Sequence, residues 1–355
     1  MINKSSQKKI SIFLIILAVI ICIFLAVTNG SLAWYWTFGI AFGCVLQKSG
    51  LCFVSSAGDL YSMNSTTQLR SILVGILVAS LGISSMKYLS FGEMDYLSVS
   101  AISIPLVLGA FMFGIGMILS GACASGMFIR LAEGFSIHIF TIISLVIGFM
   151  ISRIGYADIW GKMVAKGIVV FLPDTFGWLG GIGIHLAIIL ILYYAALKIE
   201  RGQSGTQSQK YLLGGIFLGV FSILHYIILQ SGWSITGAFF WFSDIIGISE
   251  PSQAVADLIN YSIAPNIRNI GLIAGAFISV FFAAEFKLKK IKSLKQVLMS
   301  SSGGLLMGYG AGIAGGCNIT SFFTACASLS LSGWVFMLFL FAGAFVGVKV
   351  LMKLM

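Results

Sequence analysis

The chain has 355 residues, of which 59% are hydrophobic and 9% charged, and its mean hydropathy is +1.04. A chain this apolar cannot cover a water-soluble surface and is read as living in a bilayer. The net charge of +10 is spread between apolar segments instead of gathering on one soluble face, which sets nucleic-acid binding aside. The apolar runs do not alternate as a β-barrel requires, and 42 glycines against 4 prolines suit close helix contact in lipid.

At about 20 apolar residues per crossing, helices are expected at 10–28, 32–47, 69–88, 101–119, 136–153, 177–198, 211–230, 267–286, 298–316 and 331–353. The expected fold class is therefore an all-α polytopic membrane protein with about ten transmembrane helices. The first helix follows Lys4, Lys8 and Lys9 like a signal peptide, but no convincing small-residue cleavage site follows it, so it is read as retained. With the amino terminus cytoplasmic, 16 of the 21 Lys and Arg fall inside, as the positive-inside rule asks, and both termini are expected in the cytoplasm. Lys87, Arg153, Lys162, Lys166 and Arg268 are left outside on this reading.

The polar run Glu200 to Lys210 is the one clear linker. It divides the chain into an extra helix over 1–30, a first repeat over 31–198, a cytoplasmic linker over 199–210 and a second repeat over 211–355. Gly109, Gly114, Gly116, Gly121 and Cys123 recur at the same spacing as Gly303, Gly308, Gly310, Gly315 and Cys317. A fainter match sets Gln47 to Cys52 beside Gln230 to Ser234, placing Ser234 where the first half has Cys52. The helices before Cys52 and Ser234 run in opposite directions across the membrane, so the two repeats are expected to be inverted, an arrangement transporters use around a midplane site.

Each Gly-x-Cys motif is followed by a stretch too short to span, Ala124 to Glu133 in one half and Asn318 to Ala327 in the other. These are expected to be short re-entrant helices, tolerated only against protein or a watery cavity. Their amino-terminal N–H groups favour an anion. Cys52, Cys123 and Cys317 then fall at the breaks, with Ser234, Arg130, Glu133, Asn318 and Gln47 as supporting candidates; the alternative for each thiol is that of a small packing hydrophobe. Cys22, Cys44 and Cys326 lie outside the matched positions and are read as packing residues. Arg130 and Glu133, three apart, are expected to pair on a helix. No metal spacing links the histidines or cysteines, no phosphate loop is present, no cofactor is expected, and no enzyme constellation survives; a thiol redox role is the alternative the three cysteines leave open.

Gly303 to Trp334 (GGLLMGYGAGIAGGCNITSFFTACASLSLSGW), Leu119 to Gly134 (LSGACASGMFIRLAEG) and Gln47 to Phe53 (QKSGLCF) resemble the three motifs of the YeeE/YedE family of bacterial membrane proteins, which includes thiosulfate uptake transporters. The resemblance implies an hourglass of spanning and penetrating helices in the bacterial inner membrane, with thiosulfate or a related small anion passing a line of thiols at Cys52, Cys123 and Cys317. It also implies a small cytoplasmic sulfur-carrier protein of the TusA type as partner. Some relatives are associated with selenium, so another sulfur or selenium species is the alternative substrate. Thr320 stands where many relatives have Gly after Cys-Asn-Ile, and Ala132 replaces a glycine of the Arg-x-Gly-Glu-Gly pattern.

Overall fold

Continuous apolar runs leave the backbone no water to bond, so helix is the conformation they adopt in lipid. The computed structural model describes residues 3–90, 95–200, 206–245 and 258–354. Ten long helices match the ten expected: α1 (Lys4–Thr28), α2 (Gly30–Ser49), α4 (Thr67–Leu89), α5 (Ile104–Ser120), α7 (His138–Arg153), α9 (Leu172–Ile199), α10 (Thr206–Leu229), α12 (Leu258–Phe282), α13 (Leu294–Ala314) and α15 (Leu331–Leu354). Among the described residues nine spans are long and apolar enough to cross a membrane, or ten if α7 and the bent segment after it count as one. The chain is a multi-pass membrane protein.

Between these lie short pieces. α3 (Phe53–Met63) follows Cys52, α6 (Ala124–Ala132) follows Cys123, and a 3-10 turn at Thr236–Phe239 leading into α11 (Phe240–Ile245) follows Ser234. A π-type turn at Asn318–Thr324 running into α14 (Ala325–Ala327) follows Cys317. The stretches after Cys123 and Cys317 were expected from the sequence; those after Cys52 and Ser234 were not. α8 (Lys162–Ala165) and a two-residue antiparallel pair, β1 (Ala101–Ile102) on β2 (Ile168–Val169), close one end of the bundle.

Glycine decides which helices pack. A Cβ at Gly308 would collide with the Leu145 carbonyl, one at Gly114 with that of Leu340, one at Gly43 with that of Leu272, and one at Gly215 with that of Ser71. These contacts make α7 run parallel to α13, α15 to α5, α12 to α2 and α4 to α10. Exchanging the two halves of the chain turns α7–α13 into α15–α5 and α2–α12 into α10–α4, so the set of packed pairs maps onto itself. The pairs that map onto themselves cross antiparallel: Gly109 meets Gly310 while Gly116 meets Gly303 in α5–α13, and Gly214 meets Ser49 while Phe42 meets Phe221 in α2–α10.

Three expectations need correction. Arg268, expected at the outer end of the 267–286 helix, is 2% exposed and lies well inside α12, which starts at Leu258 and not at 267. Lys87, read likewise, is fully buried and donates to the carbonyls of Asp95, Leu97 and Ser328 at 2.7, 2.9 and 3.2 Å; carbonyls left over where helices end draw the cation inward. The linker is shorter than the polar run suggests, because α10 already begins at Thr206; residues 201–205 of it lie outside the described residues. Glu200, at its start, accepts from Thr66 N and Oγ1 at 2.8 and 2.7 Å and pairs with Arg70 at 3.1 Å, tying α9 to α4.

Burial by itself raises the Glu200 carboxyl, but the hydrogen bonds from Thr66 and the guanidinium of Arg70 outweigh it and hold the group below the usual glutamate range. A group depressed in the folded state adds stability above its unfolded value and loses it as pH falls through the folded one. Melting of the purified protein should therefore fall on acidification below the ordinary glutamate range, and Glu200→Gln should flatten that limb. Independently, Gly308→Val should cost about 1–3 kcal/mol through overpacking, read as a lower melting temperature, whereas Gly183→Ala, which meets nothing within 4 Å, should leave melting unchanged.

Candidate functional site

Three long helices stop at a left-handed glycine two residues before a cysteine: Gly50 (φ 69°) before Cys52, Gly121 (φ 70°) before Cys123 and Gly315 (φ 76°) before Cys317. Glycine reaches this conformation without the Cβ penalty. The fourth break keeps the turn without glycine: Gln230, at φ 46°, ends α10 four residues before Ser234. Gln230 thus stands where Gly50 does, and the sequence pairing of Gln230 with Gln47 is displaced by three residues. Gln47 instead lies buried within α2, where Ser279 Oγ of α12 donates to its Oε1 at 2.6 Å.

Past two of the breaks, the side chain of Cys123 or Ser234 caps the short piece that follows, whereas those of Cys52 and Cys317 make no such bond. The Gly126 N–H donates to Cys123 Sγ at 3.3 Å and the Gly237 N–H to Ser234 Oγ at 3.0 Å, the same three-residue step in each half. Ser234 therefore occupies a cysteine-equivalent place in the second half. Cys317 lies 3.7 Å from Thr320 Oγ1, so the threonine at that departure from the family pattern gives the thiol a hydroxyl neighbour.

Cys52 and Cys123 come together. A Cβ on Gly126 would lie 3.3 Å from the Cys123 sulfur and 3.6 Å from the Cys52 sulfur, so both thiols border the same small volume. They share the wall of a cavity of about 260 Å³ with Ser125, Gly126, Arg130, Glu133 and Lys289. The amino-terminal end of α6 opens on this cavity, which places a positive dipole end there. Two cations against one carboxylate add to it.

Arg130 does not pair with Glu133, contrary to expectation. α6 ends at Ala132 and Gly134, at φ 93°, turns the chain, so the guanidinium lies over Phe135 at 5.3 Å, and Lys289 Nζ lies over the same ring at 3.4 Å. Lys289 was missed as a wall residue because its lysine-rich surroundings read as an orientation signal; the tertiary contact of Lys289 N with the Gly134 carbonyl, at 2.7 Å, brings it in.

Cys317 is elsewhere. The antiparallel crossing of α5 and α13 puts the carboxyl end of α13 beside the amino end of α5, so Cys317 and Cys123 lie at opposite ends of that pair. Cys317 and its neighbour Asn318 are fully buried, and neither Nδ2 nor Oδ1 of Asn318 has a protein partner. A buried amide with four unused hydrogen-bonding positions calls for a partner. Ser234 belongs to this second end: its carbonyl accepts from Arg268, and Thr324 of the segment after Cys317 donates to the Trp233 carbonyl at 3.4 Å. Among the described residues no group of three His, Cys, Asp or Glu could hold a metal. Cys22, Cys44 and Cys326 lie outside these two clusters; Cys44 donates to the Gly275 carbonyl at 3.2 Å and Cys326 is buried against Gly333.

The candidate residues thus form two clusters at opposite ends of one helix pair. Residues 48–346 match the model of the sulphur transport family. The chain belongs to that family. It is 27% identical over 326 residues to a protein named thiosulfate transporter TsuA of Spirochaeta thermophila, covering 86% of this chain and 94% of the relative. To the thiosulfate transporter TsuA of Escherichia coli it is 23% identical over 332 residues, covering 86% and 90%. A protein named probable transporter YedE of Escherichia coli is 28% identical over 166 residues, 46% of this chain and 39% of that one. The family moves sulfur compounds across membranes; this chain is a transport protein and not an enzyme.

The shared cavity gives a direct check on placement. Mild oxidation of the solubilised protein should link Cys52 to Cys123 in peptide mass spectra; a Cys317 pair as the main product would contradict the arrangement.

Proposed function

We propose that the protein takes up thiosulfate across the bacterial inner membrane, passing it from the Ser234–Cys317 end to the Cys52–Cys123 end. The observation that carries this is the pairing of Cys52 and Cys123 in one cationic cavity at the amino end of α6, set beside full-length relatives named for thiosulfate transport. The 31–198 and 211–355 repeats are inverted in this reading, both termini lie in the cytoplasm, and the cavity faces the cytoplasm. A sulfur-carrier protein of the TusA type would receive the product there.

Thiosulfate is a dianion with a large, polarisable terminal sulfur. Thiols are weak donors, so they hold that sulfur without trapping it, and conduction requires an ion to leave as readily as it enters. The thiols must stay neutral, because a thiolate repels the dianion. Cys317 hands the ion to the Cys52–Cys123 pair, while Ser234 holds the equivalent break with a hydroxyl. Helix ends and the Arg130 and Lys289 side chains offset the charge. Asn318, with its amide unused, is the supporting residue nearest Cys317 in sequence.

In bacteria lacking their own thiosulfate and sulfate importers, the wild type should restore growth on thiosulfate as sole sulfur source. Cys123→Ala and Cys317→Ala, expressed to the same level, should each lose growth. No growth with well-inserted wild type would move the substrate to another sulfur or selenium species, and normal uptake by both variants would sink the thiol path.

A further inference from the structure

The first and second halves secure their breaks differently. In the first, Gln68 of α4 accepts from the Cys52 N–H at 2.8 Å. In the second, three side chains of α12 take carbonyls released around Ser234: Asn269 binds Ile235 O at 2.8 Å, Asn266 binds Ala238 O at 3.2 Å, and Arg268 Nη2 binds Ser234 O. Neutral amides suffice at two of these carbonyls, so hydrogen bonding alone does not account for a guanidinium at the third.

That guanidinium is 2% exposed within a membrane span. Its Nη1 bonds His225 Nε2 at 2.8 Å, and its Nε has no partner. Arginine only donates, so His225 Nε2 is the acceptor; His225 is then the neutral tautomer with its Nδ1–H donated to Ser231 O at 2.9 Å. The Tyr35 ring covers the guanidinium at 5.6 Å. Among the described residues Arg268 has no carboxylate partner, and the segment after Cys317 reaches the same turn, where Thr324 donates to the Trp233 carbonyl next to Ser234 at 3.4 Å. A buried intramembrane charge is expensive and marks a substrate path; here the missing counter-charge is an anion.

We infer that Arg268, oriented by His225, is the anion-binding residue of the Ser234–Cys317 end and selects divalent oxyanions there. The guanidinium takes the ligand's oxygens, and when the ligand is thiosulfate the Cys317 thiol takes its terminal sulfur; only that last pairing rests on the thiosulfate reading. In the first half the residue that takes the group released at the Cys52 break is the neutral Gln68, and the cations Arg130 and Lys289 stand on the cavity wall instead, so the two ends hold the ion differently.

The test uses the purified full chain with thiosulfate, sulfate, selenate and the monovalent nitrate as probes, read by melting temperature, together with uptake kinetics in vesicles. At least one divalent oxyanion should stabilise the wild type more than nitrate does. Arg268→Gln, which keeps a donor for Ser234 O but not the charge, should lose that stabilisation and raise the uptake KM at least tenfold, and Arg268→Lys should retain much of both. Equal stabilisation of wild type and Arg268→Gln, or none of the wild type by any divalent oxyanion, overturns the inference. Stabilisation by sulfate or selenate but not thiosulfate, lost in Arg268→Gln, upholds it while removing thiosulfate as substrate. If Arg268→Gln is not recovered folded, modification of wild-type Arg268 by phenylglyoxal decides: protection by a divalent oxyanion supports the site, and an unchanged extent of modification overturns it.

Discussion

A helix that stops within a membrane protein leaves carbonyl and N–H groups that lipid cannot satisfy, and the whole architecture answers that constraint. Left-handed turns at Gly50, Gly121, Gly315 and Gln230 end α2, α5, α13 and α10. The freed groups then go to Gln68, Asn269, Asn266, Arg268 and Lys87, side chains that would otherwise have no place in an apolar interior. Each repair draws a polar residue to a break, and the breaks are where the thiols stand. The candidate residues thus gather where the backbone is interrupted.

Close packing makes those interruptions affordable. Between spanning helices there is little hydrophobic drive, so van der Waals contact and small residues decide association. Glycines at 43, 114, 215 and 308 bring backbone onto backbone in four parallel pairs, and Gly109, Gly116, Gly303 and Gly310 do so in the antiparallel crossing at the centre. The central crossing sends Cys123 and Cys317 to opposite ends. On the path proposed above, a cysteine at each end of one rigid contact would mean that no one position has to hold the ion tightly.

The two ends are not copies. One carries a paired thiol and a cavity bordered by Arg130, Glu133 and Lys289; the other has one thiol, a serine in the equivalent cap, an unpartnered Asn318 and the buried Arg268.

The sequence by itself determined the ten spanning helices, the Gly-x-Cys breaks and the short pieces after Cys123 and Cys317, because apolar run length and glycine spacing are local properties that lipid enforces. It did not reveal α3 after Cys52 or the turn after Ser234, whose residues are too few and too mixed to carry a pattern. Arg268 and Lys87 read as charges at the outer ends of their helices, since a helix boundary drawn from hydropathy falls near the charge; only packing shows that other elements supply them with carbonyls inside the bundle. The meeting of Cys52 with Cys123, the failure of Arg130 to pair with Glu133 and the entry of Lys289 into the cavity wall were likewise tertiary decisions. The first and last of these depend on which elements meet across more than seventy residues of chain, a distance no spacing along the sequence encodes, and the second depends on where α6 ends and Gly134 turns the chain.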